Sequence, residues 1–346
     1  MLTTAKPATD ITQQFGWLAE FAASAIRLHP RRARNLPVHV SKMGGLFLWP
    51  REVPWPVCHA RREHDHDHGE WLRPENREDL SRVLGHAYEL AQFTGFEAAR
   101  REPARQWLER QMEGAADGQH SSRDACYLPL LQLRRAEFAA LPWPRHADLM
   151  QLLWCPHVHF SGDPGFLLFW RRQDDVKDPL LQEPDWSTAT DLELHECRLQ
   201  PEYITEYPQS LSFEPHFRDD LDRLLNSLTL RAAPSPLHWR LSGSEFYDES
   251  LASAPGVKLF GYPRWIQEPA TPACECGRRM KLLVTIDSHE AGANGETAER
   301  WKPVEEADAD TPPASHGFSI GDPGALFLFH CPVCPGLPLR AVVQAA

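Results

Sequence analysis

The chain has 346 residues, a prior for about two domains, and its 42% hydrophobic and 24% charged residues suffice for a water-soluble core. Lys and Arg number 36 against 48 Asp and Glu; a net charge of −12 argues against a nucleic-acid binder, whose phosphate contacts need a basic footprint. No apolar run approaches the ~18 residues of a membrane helix, and the first residues, Met1 to Pro7, hold no apolar signal core.

A cytoplasmic protein is therefore expected, whose 8 Cys serve as thiols or metal ligands rather than disulfides. Proline numbers 31, against about 17 at a typical frequency of about 5%. Each Pro removes a donor and biases its predecessor to extended backbone, so short strands and loops are favoured over long helices.

Ile11, Phe15, Leu18, Ala22 and Ile26 recur at helical spacing after Asp10, with Pro30 as a stop. This spacing predicts an N-terminal helix, followed by a basic connector, His29–Arg34, within residues 1–37. A first β-rich half spans 38–175. It is interrupted at about 59–125 by a charged stretch with helical periods at Leu80, Val83, Leu84, Ala87 and Leu90, read as a helical insertion. Strand-like runs follow at Leu128–Leu133, Leu149–Trp154 and Phe166–Trp170. Residues 176–235 read as a connector carrying a helix with Phe217, Leu221, Leu224, Leu225 and Leu228 on one face. The second half, 236–346, has strand runs at Met280–Ile286, Ala325–His330 and Leu339–Gln344. Between them, Asp287–Asp310 carries eight acidic residues and reads as a solvated loop.

Certain features recur in order. The first half runs Ser41-Lys-Met-Gly-Gly, Cys58, Leu128-Pro-Leu-Leu-Gln-Leu, then Gly162-Asp-Pro-Gly before an apolar strand. The second runs Val257-Lys-Leu-Phe-Gly261, Cys274-Glu-Cys276, Met280-Lys-Leu-Leu-Val, then Gly321-Asp-Pro-Gly before another. Ordered recurrence predicts one β-rich unit used twice. The expected fold is α+β, mainly antiparallel, with two similar halves and a zinc-ribbon-like C-terminal end.

Ser41-Lys-Met-Gly-Gly, Leu152-Leu-Trp-Cys155-Pro156, Gly261-Tyr-Pro-Arg-Trp-Ile-Gln267, Cys274-x-Cys276-Gly277 and Gly321-Asp-Pro-Gly together resemble the YwqG-like bacterial proteins, over roughly residues 38–345 apart from the insertion. More distantly, the second half is similar to the programmed-cell-death-2 proteins. The resemblance implies a protein-binding role, as an immunity protein or as an escort for a protein client, and no established reaction.

The cysteines carry the sharpest chemical signal. Cys274 with Cys276, and Cys331 with Cys334, form two close thiol pairs on opposite sides of a strand pattern. Four thiolates about 2.3 Å from one ion make a closed tetrahedral zinc site, which is structural because no coordination position stays open. A weaker constellation joins Cys58, Cys155, His157 and His159, readable either as a second metal site on Cys58, Cys155 and His159 or as buried thiols beside loop histidines. His64-Asp-His-Asp-His68 lacks the Asp and His that a di-metal pattern needs next, so it reads as a solvated loop.

No Gly-x-Ser-x-Gly frame surrounds Ser244, and no phosphate-binding glycine loop occurs. His195-Glu196 and His289-Glu290 lack the second His of a zinc-protease helix. Asp163 and Asp322 lie in Asp-Pro-Gly turns, where Pro and Gly set the backbone. Trp49, Trp55, Trp154 and Trp265 are expected mainly in the core, with a minority of Trp at a seam between halves as partner anchors. The expected function is a non-catalytic binding module for a basic protein partner, the alternative being a metal-dependent enzyme at Cys58, Cys155 and His159.

Overall fold

The computed structural model describes residues 2–7, 10–58, 125–155, 165–184, 194–232, 243–291, 300–306, 316–320 and 324–345. The expected helical insertion, the His64–His68 loop, His157, His159 and both Gly-Asp-Pro segments lie outside the described residues. The strands are β1 (Ala23–Arg27), β2 (Arg31–Arg32), β3 (Lys42–Met43), β4 (Val57–Cys58), β5 (Ala125–Cys126), β6 (Leu128–Arg134) and β7 (Leu149–Trp154). After them come β8 (Phe166–Arg171), β9 (Cys197–Arg198), β10 (Glu202–Glu206), β11 (Lys258–Phe260), β12 (Lys281–Asp287), β13 (Gly324–His330) and β14 (Leu339–Ala345). Helices are α1 (Ile11–Gln14), α2 (Pro215–Ala232) and α3 (Gly243–Ser250).

Two six-stranded antiparallel sheets result, ordered β2-β9-β3-β6-β7-β8 and β10-β1-β11-β12-β13-β14, with β4 and β5 as a separate ribbon. The strands expected from apolar runs form within a residue or two of their expected ends. β7 and β13 are buried along their whole length, which is why they read as continuous apolar runs rather than alternations. One face of β13, Leu326 and Leu328, joins Met150, Leu152 and Trp154 of β7 in a shared core between the sheets. The other face, Ala325, Phe327 and Phe329, packs under Trp265. Leu153 of β7 likewise turns to a separate cluster with Trp49 and Trp55. Trp49, Trp55, Trp154 and Trp265 are buried as expected, and among the described residues no Trp is exposed. Trp154 packs edge-on against Phe318 at the seam, so the seam is filled there rather than open as a groove.

The N-terminal helix ends early. Helix structure covers only α1 and a 3₁₀ turn at Gly16–Phe21, and Ala22 to Ile26, expected to continue it, leads into β1. β1 lies inside a sheet, between β10 and β11, and the backbone bonds available there outweigh a helical period built on weak formers such as Ser24 and Ile26. The β1–β10 pair continues past a bend as the β2–β9 pair of the other sheet, so one ribbon serves both sheets. At the bend His29 takes φ 41°, and the amide of Gln200 donates to the carbonyl of Leu28 at 2.6 Å.

The basic connector and the acidic stretch expected as a solvated loop are both partly buried. In the basic stretch, His29 is buried against Glu202, and the Arg31 guanidinium meets both Glu306 oxygens at 2.6 Å. In the acidic stretch, Asp287 is buried at the end of β12, and Glu290 accepts from the amide of Val257 at 2.9 Å. Opposite charges distant in sequence neutralise one another here, which charge runs alone do not reveal. The connector 176–235 supplies β9 and β10 as well as α2.

The Lys turns are built alike. Lys42 is fully buried, and its ammonium donates to Glu196 at 2.9 Å. Lys258 is fully buried, and its ammonium donates to both Glu206 oxygens at 2.7 and 2.8 Å. Two left-handed residues follow in each turn: Gly44 and Gly45 at φ 66°, Phe260 and Gly261 at φ 61° and 68°. Trp49 and Trp265 each lie seven positions after the Lys. β6–β7 and β12–β13 also share a register shift, at Pro129/Leu131 and Leu282/Val284. The final glycines of the two Gly-Asp-Pro-Gly sequences do not follow this pattern. Gly165 precedes β8, the third strand after its Lys turn in sheet order, whereas Gly324 opens β13, the second. Gly165 and Gly324 thus do not precede corresponding strands.

Candidate metal centre

The two thiol pairs lie at one end of the second sheet. The first sits in a tight hairpin leading into β12: the Met280 amide donates to the Pro272 carbonyl at 3.0 Å, and the Cys274 amide to the Arg278 carbonyl at 2.8 Å. Gly277 takes φ 79° at its tip and donates to the Cys274 carbonyl at 2.8 Å. The second pair sits in the loop joining β13 to β14, closed by the Cys331 amide on the Pro338 carbonyl at 2.9 Å. Lys281 of β12 registers opposite His330 of β13, so the antiparallel ladder places the hairpin beside the loop.

Cys274 Sγ lies 3.9 Å from Cys334 Sγ, and Cys276 Sγ lies 3.7 Å from Cys331 Sγ. All four sulfurs are within 4.8 Å of one another. A tetrahedron with metal–sulfur bonds of about 2.3 Å has edges of about 3.8 Å, so the set needs little adjustment to close on an ion. Cys274 and Cys331 are buried under Trp265, Phe327 and Phe329; Cys334 is half-buried and Cys276 exposed. The amides of Cys334 and Val333 face the Cys331 sulfur, the former at 3.4 Å, and hold its thiol low, whereas the adjoining thiols of Cys276 and Cys331 push the Cys334 thiol up. Among the described residues no other group of His, Cys, Asp and Glu gathers in this way.

The weaker constellation is only partly visible. Cys155 is buried beside Trp49, Trp55, Tyr127 and Phe169. The backbone of Cys58 pairs with Ala125, while its side chain and His159 lie outside the described residues. Cys126, which sequence reading passed over, packs partly buried against the same aromatic cluster; its only signal was a place two residues before the Leu128 strand. The His-Glu dipeptides turn out to be partners of the fold. Glu196 holds Lys42, and Glu290 faces Arg31 at 3.9 Å and the His316 imidazole at 3.9 Å. Burial pushes His316 down to about 4, with His289 and His195 adding to the effect.

No helix of the described residues is long and apolar enough to cross a membrane. No protein-family model matches the chain, and no curated protein matches it significantly.

Proposed function

We propose that this chain is a non-catalytic protein-binding module whose second sheet is stapled by one structural zinc on Cys274, Cys276, Cys331 and Cys334. The observation that carries the reading is the closed set of four sulfurs. Thiolate ligands favour zinc among the common divalent ions, and a metal held by four of them offers no position to water or substrate. We read the two sheets as copies of one unit, on the strength of the paired buried lysines, their left-handed turns and the shared register shifts. We also place the chain near the YwqG-like proteins, on the order of its motifs, and assign it a basic protein partner in the cytoplasm, as an immunity or escort protein. The support for that partner is the net charge of −12, which steers encounter with a basic surface. Elemental analysis of the purified protein should find one zinc per chain. Capture from its own cells should return a basic partner whose association rate falls steeply with salt. Turnover of a small molecule that disappears with Cys155→Ser would overturn the binding-module reading.

A further inference from the structure

We propose that Cys276 is an oxidation site: a peroxide reaching the four-thiolate centre modifies this sulfur first, and closure of a Cys276–Cys331 disulfide then expels the metal. The inference rests on the zinc reading above. The four sulfurs are unequally protected. Cys331 and Cys274 are 1% and 5% exposed, Cys334 is half-buried, and Cys276 is exposed. Its hairpin tip is exposed from Glu275 to Arg279, so the Cys276 side of the cluster is the one that faces solvent.

The chemistry balances with hydrogen peroxide as the oxidant. The Cys276 thiolate attacks one peroxide oxygen; an S–O bond forms, the O–O bond breaks and hydroxide leaves, giving a sulfenic acid. The Cys331 sulfur, 3.7 Å away, then attacks the Cys276 sulfur; an S–S bond forms, the S–O bond breaks and a second hydroxide leaves. Two thiolates have lost two electrons and the peroxide has gained them. The zinc keeps only Cys274 and Cys334, too few to retain it.

The test uses the zinc-loaded full chain. Limiting hydrogen peroxide is added with dimedone to trap sulfenic acid, remaining thiols are alkylated, and peptides are mapped by mass spectrometry while a chromogenic chelator reads free zinc. The first adduct should fall on Cys276. Without dimedone, a Cys276–Cys331 disulfide should appear with one zinc released per bond. A first adduct on Cys274, Cys331 or Cys334, a disulfide joining other cysteines, or disulfide formation with zinc retained overturns the inference and leaves the zinc reading standing. A purified protein that binds no zinc overturns both.

Discussion

Lys258→Met isolates a buried charge in the middle of the second sheet. Both partners of the Lys258–Glu206 pair have fully buried side chains. At 2.7 Å, with an effective dielectric of about 20, the attraction is about 6 kcal/mol, and it offsets the cost of taking both charges out of water. Glu206 also accepts from the amides of Ala254 at 2.8 Å and Tyr262 at 3.0 Å, so the carboxylate is fixed in place and cannot swing out to water. Methionine replaces the lysine stem but leaves that carboxylate without its cation. The expected loss is about 3–5 kcal/mol, read from urea unfolding by Trp fluorescence with unchanged m-value. Adding Glu206→Gln should restore part of this loss, because a neutral amide costs less to bury than an unpaired carboxylate. Lys42→Met should cost less than Lys258→Met, since the Glu196 side chain keeps 17% exposure. A Lys258→Met loss below about 1 kcal/mol, or a double variant weaker than the single, would refute the reasoning.

Cys331→Ser should lose the metal and lower the melting temperature, whereas Cys155→Ser should keep the metal; elemental analysis and calorimetry separate the two. Gly44→Ala should destabilise by about 2–4 kcal/mol in urea unfolding and more than Gly45→Ala. Its new Cβ would lie 2.3 Å from the His195 backbone carbonyl, which cannot move, while that of Gly45 meets the Glu196 side chain, which can move only by loosening its bond to Lys42. His316 is held at about 4, below its ordinary 6.5, so the unfolded chain binds the extra proton between these values. Its contribution to stability is therefore complete above about pH 6.5 and is lost as pH falls toward about 4. The stability advantage of the native chain over His316→Asn should shrink across that window by roughly 1–3 kcal/mol, measured by urea unfolding at both ends.

The sequence alone determined the elements whose physics is local. β6, β7, β8, β12, β13 and β14 were legible because each is an apolar run ended by Pro, Gly or charge. The four-cysteine cluster was legible because thiols at short spacing carry their chemistry in the residue type, whatever lies between Cys276 and Cys331. Tertiary structure decided the rest. Ala22 and Ile26 fit a helical face, and only the neighbouring β10 and β11, both more than 170 residues away, offer β1 the bonds that make it a strand. The buried Lys42, Lys258 and Arg27 read as surface charges, because the Glu196, Glu206 and Glu290 groups that pair with or face them sit tens to hundreds of positions off. A charge is free to enter a core only once a distant opposite charge is already there. That condition is set by packing, and no local pattern of residues encodes it.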